Sequence, residues 1–259
     1  MGHAALFVLF DKYSRRARLR PVLIMLLPPA LPLVAGVQAL PRGRWLWSLV
    51  LLSGLPLLAD QLGRSRGKRI EARLFRSWGG KPTVQLLRWR GPTSRQRLEF
   101  LRTRIQDIVG ASLPLPTEQE ELADPQRADE IYDAAGLALR VRARGLPGAE
   151  LVQEQNCEYG FRRNTFGLRP YALPTAVVAL LAVLAWAFVE PDFLGRPSTP
   201  LLVVLVVMEA LLVAFQAFLV RDRWVESAAW LYAERLLETS ALSVPGALPA
   251  GPVPGTATP

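Results

Sequence analysis

Apolar residues along the chain are gathered into four long blocks that are separated by charged stretches. The blocks are residues 21–40, 45–59, 171–189 and 197–220, and the one charged side chain inside them is Glu209. A soluble domain interleaves apolar and polar residues, so this segregation is typical of membrane-spanning helices. A helix rises about 1.5 Å per residue, and about 20 residues cross a hydrocarbon core about 30 Å thick. The pattern therefore predicts an all-α membrane protein with four transmembrane helices.

Short linkers join the four blocks in pairs, so the predicted spans form two antiparallel hairpins. Between the hairpins, apolar residues recur at helical spacing, and Asp124-Pro125 is a typical helix start. We therefore expect a mainly helical cytoplasmic domain between them. The predicted segments are a basic N-terminus (1–20), hairpin 1 (21–62), the central domain (63–170), hairpin 2 (171–220), an amphipathic helix (221–239) and a disordered tail (240–259).

The distribution of lysine and arginine predicts the orientation of the chain in the membrane. Seventeen of these residues flank the spans on the side of the termini and the central domain. Three lie in the hairpin loops, namely Arg42, Arg44 and Arg196. Segments rich in lysine and arginine stay in the cytoplasm. We therefore expect four passes, with the N-terminus, the central domain and the C-terminus all cytoplasmic.

The composition of the 259-residue chain excludes several kinds of site. Its one cysteine, Cys157, cannot form an intramolecular disulfide or a Cys-rich zinc site, and its one histidine, His3, cannot form a histidine cluster. We predict no enzyme, cofactor or metal, although carboxylate chemistry through Glu118, Glu120 or Glu158 stays open as an alternative. Anionic lipid and the positive-inside bias account for the net charge of +9. The expected partner is therefore the lipid bilayer and not a nucleic-acid polymer.

Glu209 and Gln216 are polar residues within the last apolar block. They are seven positions apart, so they share one face of a helix. A carboxylate in the middle of a membrane helix is costly unless it is paired or hydrated. Two interpretations stay open. The pair lines a pore or takes part in proton transfer, or a protonated Glu209 holds neighbouring helices together by hydrogen bonds.

A basic cluster after the second block is a candidate site for an anionic ligand. Its members are Arg64, Arg66, Lys68 and Arg69. The alternative is a stop-transfer flank that contacts anionic lipid, because both interpretations draw on the same positive charge.

A second cluster, just before the third block, combines aromatic and guanidinium groups. Its members are Tyr159, Arg162 and Arg163. An arginine fork beside an aromatic ring suits the phosphate and base of a nucleotide. The alternative is an interfacial anchor, or a surface that packs between subunits.

Three short motifs accompany this topology: Arg20-Pro21 at the first span, residues 78–83 (Trp-Gly-Gly-Lys-Pro-Thr), and residues 159–164 (Tyr-Gly-Phe-Arg-Arg-Asn). With these features the chain resembles the four-transmembrane effector families of bacterial defence loci. In particular it resembles the pore-forming effectors of the S-4TM type, which are found beside cyclic-oligonucleotide synthases. The resemblance implies an oligomeric inner-membrane protein that opens when a nucleotide signal or a partner binds in the cytoplasm. It assigns no ligand-binding residues.

These observations predict a homo-oligomeric effector or channel that permeabilises the bacterial inner membrane in anti-phage defence. The expected trigger is a cyclic nucleotide or a cytoplasmic protein. Four passes are too few for a transporter built from inverted repeats, but they are enough for one segment of a ring. The alternative is a non-catalytic, membrane-anchored scaffold or a partner-binding subunit of a larger complex.

Overall fold

The computed structural model describes residues 13–37, 65–189 and 198–242. Every regular element in these ranges is helical, as the sequence pattern predicts. Three helices are long and apolar enough to cross a membrane, namely Arg16–Gly36, Glu150–Phe188 and Thr199–Leu219. They correspond to the first, third and fourth predicted spans. The second predicted span (45–62) and most of the predicted tail (243–259) lie outside the described residues, so the four spans and the two hairpins stay a prediction.

The helices within the described ranges are numbered here in chain order. They are α1 (Arg20–Val37), α2 (residues 65–77), α3 (Pro82–Gln85), α4 (Arg95–Val109), α5 (Glu118–Ala123), α6 (Pro125–Ala143), α7 (Glu150–Phe188), α8 (Thr199–Ala214) and α9 (Asp222–Glu238). A π-helical segment, Ser14–Leu19, leads into α1, and another, Phe215–Leu219, continues α8. Residues 86–90, directly after α3, form a series of turns.

The chain divides into two compact units, and the division falls after Gly79 and inside helices α7 and α9. We call the described residues 13–37, 65–79, 155–189 and 198–229 the membrane unit, and residues 80–154 and 230–242 the helical unit. The predicted cytoplasmic segments 63–170 and 221–239 are defined by the side of the membrane on which they lie, whereas the two units are defined by packing. The predicted segments therefore stay a prediction.

The helical unit is built around one hydrophobic core. Local chemistry fixes where its helices begin. The Asp124 side chain accepts a hydrogen bond from the Arg127 N–H at 3.0 Å, and Pro125 occupies the first turn of α6. Thr117 and Glu120 form a capping box at the start of α5. The fully buried core side chains include Leu87, Leu98, Ile105, Tyr132, Leu139 and Leu236. Each buried aliphatic side chain contributes about 1.5–3 kcal/mol, so this apolar face is what holds the helices together.

The membrane unit packs its helices closely at small residues. A Cβ atom added to Gly167 of α7 would lie 3.0 Å from the backbone nitrogen of Gly67 in α2, so the two backbones are in direct contact. A Cβ added to Gly160 of α7 would lie 2.9 Å from the Cβ of Ala17, which precedes α1. Asn164 secures this second contact because its side-chain amide donates to the Ala17 carbonyl at 2.7 Å.

Helix α7 continues without a break through two prolines. It contains Pro170 and Pro174, yet it is one helix from Glu150 to Phe188. Each proline removes one backbone donor, a loss that membrane helices tolerate where neighbouring groups satisfy the freed carbonyl. The last residues of the predicted central domain and the third predicted span therefore belong to the same helix.

Candidate functional site

Glu209 lies in the interior of the membrane unit. Its side chain is 0% exposed, and neither carboxylate oxygen has a hydrogen-bond partner among the described residues. One turn before it on α8, Leu205 packs with Val183 and Trp186 of α7 and with Leu31 of α1. Glu209 therefore lies on the face of α8 that is covered by other helices and not on a face exposed to lipid.

No cation is available to Glu209 within the described apolar helices. Residues 21–37, 171–188 and 199–220 contain no lysine, arginine or histidine. The free-energy cost of burying an ionised carboxylate in an apolar medium without a counter-charge far exceeds the free energy that any single interaction in a fold contributes. We therefore expect the carboxyl group of Glu209 to be neutral in this arrangement. It can become charged only where water, a cation or a hydrogen-bond donor reaches it.

Gln216 lies two turns further along, where the helix changes from α to π. It is buried, and its side-chain carbonyl oxygen has no partner among the described residues. Arg169 of α7 donates to the backbone carbonyls of Gln216 at 3.0 Å and Ala217 at 3.3 Å. A π-helical turn leaves carbonyls without their usual α-helical donors, and such turns are frequent at functional sites. The Arg169 guanidinium therefore stabilises the turn that holds Gln216.

The basic cluster on α2 presents its charge to solvent. Lys68 and Arg69 are exposed, and Arg73 and Arg76 extend the same face by one and two turns. None of these four forms an ion pair with another described residue. The buried face carries Gly67 and Leu74.

The other predicted members of this cluster are placed differently. Arg66 is half-buried, donates a hydrogen bond to the Tyr171 hydroxyl and lies over the Tyr171 ring, with its guanidinium carbon 5.0 Å from the centroid. Arg64 lies outside the described residues. The exposed face of α2 is therefore the part of the cluster that is open to an anionic headgroup or ligand.

The aromatic cluster on α7 is occupied by internal contacts. The Tyr159 hydroxyl donates to Glu71 at 2.9 Å, and Arg163 forms an ion pair with the same carboxylate at 3.0 Å. Arg162 pairs with Glu158 at 2.7 Å and donates to the Trp224 carbonyl at 3.1 Å. These contacts connect α7 with α2 and α9 inside the membrane unit. All of these contacts lie within one chain, so the predicted alternatives for this cluster (a ligand site, an interfacial anchor, or packing between subunits) stay predictions.

A buried polar network in the helical unit went unpredicted. Arg102 donates to the Leu87 carbonyl and to the Tyr132 hydroxyl, each at 3.0 Å, and also to the Pro116 carbonyl. The Tyr132 hydroxyl in turn donates to a carboxylate oxygen of Glu121 at 2.7 Å, and the backbone N–H of Trp89 donates to the same oxygen at 2.9 Å. The guanidinium carbon of Arg102 also lies 4.4 Å from the Trp89 ring centroid. The sequence contains one indication of this network, because Arg102 lies on the same helix face as the apolar Leu98 and Ile105.

The carboxylates that stayed open as catalytic candidates are engaged elsewhere. Glu118 pairs with Arg95 at 3.0 Å, and Glu158 pairs with Arg162. Glu120 closes the capping box, and the hydrogen bond from the Thr117 N–H lowers the pKa of its carboxyl group. Within the described ranges, no group of three or more His, Cys, Asp or Glu side chains is close enough to hold a metal ion.

Comparison with known proteins leaves the chain without an assigned relative. No family model, no curated protein and no solved structure matches it.

Proposed function

We propose that this chain is one subunit of a homo-oligomeric protein that permeabilises the bacterial inner membrane in response to a cytoplasmic signal. The observation that carries the proposal is the position of Glu209, which is buried in a helix long and apolar enough to span a membrane, with no described residue hydrogen-bonded to either carboxylate oxygen. A polar group in this environment destabilises the resting arrangement. Buried polar side chains that lower stability in this way are expected mainly at functional sites.

The proposed opening is a rearrangement that hydrates Glu209 and Gln216. Both side chains are buried at rest, so the described helices of a closed protomer offer ions no polar group at these two positions. A movement of α8 against α1 and α7 would bring the two polar groups to an aqueous surface, where the carboxyl group ionises and attracts cations. In an oligomer, the same side chains from several subunits would form a polar ring.

The proposed trigger acts on the cytoplasmic side. Helix α2 contacts α7 through the ion pair of Glu71 with Arg163, and α7 continues from there to Phe188, so a displacement of α2 would reach the third span. The exposed basic face of α2 supplies the positive charge that a phosphate-bearing signal requires. The resemblance to effectors of bacterial defence loci suggests a cyclic nucleotide as that signal and anti-phage defence as the setting.

A second candidate function is a non-catalytic scaffold anchored in the membrane. The observation that favours it is the internal pairing of Tyr159, Arg162 and Arg163 with Glu71 and Glu158. Side chains that are used to pack helices are not available to a ligand. In this case the membrane part serves as an anchor, and a partner protein binds the helical unit.

The test compares Glu209→Gln and Glu209→Ala with the wild-type chain. Expression in bacterial cells with a potential-sensitive dye reports permeability, and the particle size in detergent reports assembly. We expect the wild type to depolarise the cells as an oligomer. Both variants should keep the particle size and lose at least tenfold in depolarisation rate, because α8 then carries no ionisable group.

Met208→Leu is the matched control, because Met208 precedes Glu209 on the same helix and its side chain is exposed. This variant should behave as the wild type. Unchanged permeability in intact Glu209→Ala assemblies would remove Glu209 from the ion path. A wild-type chain that stays monomeric and leaves the potential unaltered would favour the scaffold.

A further inference from the structure

Helix α6 has an exposed apolar stripe on the side away from its core. Leu137 is 54% exposed and Val141 is 59% exposed, and Ala134 is exposed one turn earlier. These three residues are three and four positions apart, so they form one continuous strip. The opposite face of α6 buries Tyr132 and Leu139 in the core. The strip lies on a helix of the helical unit outside the predicted spans, where exposed large apolar side chains side by side are typical of a contact surface.

Two charged residues lie at equal distances from the centre of this strip. Glu130 is seven positions before Leu137, and Arg144 is seven positions after it. Both are exposed, and neither forms an ion pair with another described residue. The neighbouring acids on α6 are already used, because Asp129 pairs with Arg88 and Asp133 pairs with Lys81. Glu130 and Arg144 are thus open to a partner from another molecule.

We propose that the exposed stripe of α6 is a two-fold contact between two copies of this chain, with the helices antiparallel and crossing at Leu137. A two-fold axis beside Leu137 brings Leu137 against its own copy. The same operation places Glu130 of each copy beside Arg144 of the other, because both residues are seven positions from the axis. A parallel pairing would place Glu130 against Glu130 and Arg144 against Arg144, and this repulsion disfavours it. The charges therefore select the antiparallel arrangement.

The contact buries little surface, but confinement of both chains to one membrane favours its formation. Stable soluble complexes bury about 800 Å² on each partner, which is more than one helix stripe provides. Chains held in one membrane meet at a far higher effective concentration than free molecules, so a weak contact becomes populated. This proposal is independent of the proposed ion permeability, because it uses residues of the helical unit and its tests measure no flux.

The first test is cross-linking of single-cysteine variants of the full chain in liposomes, in a Cys157→Ala background. With a copper–phenanthroline oxidant, Leu137→Cys should form a covalent dimer. The matched control is Leu122→Cys, which is 52% exposed on α5 but lies off the stripe, and it should give at least five times less dimer. Equal yields from the two variants would overturn the proposal. The proposal would also be overturned if Leu137→Cys were protected from maleimide in a chain that stays monomeric. A segment of the same chain would then cover the stripe.

The second test reads the direction of the helices. Glu130→Cys and Arg144→Cys should each give little dimer alone, and they should cross-link to one another when the two proteins are reconstituted together. Self-linking of either variant alone would indicate a parallel contact and would overturn the proposal. In the Leu137→Cys chain, Glu130→Arg or Arg144→Glu should each lower the dimer yield several-fold, and the two changes together should restore it.

Discussion

Tyr132 joins two buried charged side chains in the helical unit. Its hydroxyl accepts from Arg102 at 3.0 Å and donates to Glu121 at 2.7 Å. Tyr132→Phe keeps the ring but leaves Glu121 and Arg102 each one hydrogen bond short in a buried site. We expect the free energy of unfolding to fall by about 1–3 kcal/mol, the cost of leaving buried polar groups unsatisfied. Denaturant unfolding of the full chain in detergent measures the change.

The matched control for this prediction is Thr103→Val. The Thr103 hydroxyl is exposed and donates to the Glu99 carbonyl of its own helix, so its removal should change the stability by less than about 0.5 kcal/mol. Equal stabilities of the two variants would mean that the buried network contributes nothing to folding.

The same tyrosine predicts a loss of stability at high pH. Burial, together with donation to Glu121, raises the pKa of Tyr132 well above its ordinary value of about 10. The unfolded chain therefore releases this proton near pH 10 while the folded chain retains it. The stability is complete below about pH 10 and falls as the pH rises further. Between about pH 9 and pH 11 the wild type should lose more stability than Tyr132→Phe, in which the other tyrosines are unchanged, and parallel curves would contradict this.

At the residue scale, the sequence predicted which apolar side chains are buried but not which charges are buried with them. Leu98, Ile105 and Tyr132 belong to the apolar residues that recur at helical spacing in the central segment, and all three are buried. Arg102 and Glu121 are buried as well, because each finds partners on other segments of the chain. Such pairing depends on contacts between residues that are distant in sequence, and periodicity carries no information about it.

At the scale of helices, the crossing of α2 and α7 depends on glycine at both contact points. Because a Cβ on Gly167 would lie 3.0 Å from the Gly67 nitrogen, a larger side chain must push the two helices apart. We expect Gly167→Val to lower the free energy of unfolding by about 1–3 kcal/mol. The midpoint of thermal unfolding in detergent measures the effect.

Gly145 offers a matched control for this substitution. A Cβ added there meets no atom within 4 Å, so Gly145→Val should change the midpoint little. If both valine variants unfold at the same temperature, the close approach of α2 and α7 does not stabilise the protein.

Helix ends were predictable where local chemistry fixes them. The Asp124-Pro125 start of α6 lies where the sequence indicated, because the Asp124 side chain caps the helix. Gly79 and Gly80, which follow α2, both have positive φ, a conformation that glycine adopts without strain. The continuity of α7 through Pro170 was not predicted. Proline ends most helices in soluble proteins, and only the packing in the membrane unit shows that this helix continues.

At the scale of the whole molecule, three helices that are long and apolar enough to span a membrane indicate a membrane protein, and the number of spans is open to experiment. With four spans, Gly43 and Asp192 both lie in loops outside the cytoplasm, and Leu122 lies within it. If residues 45–62 did not cross, Gly43 and Leu122 would lie on the same side of the membrane. The positive-inside rule favours the first arrangement, since Lys and Arg are concentrated on the predicted cytoplasmic side.

Labelling of single-cysteine variants with an impermeant maleimide in spheroplasts distinguishes the two arrangements. In a Cys157→Ala background, Gly43→Cys and Asp192→Cys should react from outside, and Leu122→Cys should react only after the membrane is permeabilised. The exposure of Leu122 in the folded chain makes it a valid internal reporter, because a failure to react cannot be due to burial. Reaction of both Gly43→Cys and Leu122→Cys from outside would show that residues 45–62 do not cross, whereas reaction of Leu122→Cys alone would reverse the four-span topology. Either result would move the basic face of α2 away from any cytoplasmic signal, and the proposed trigger would then be excluded.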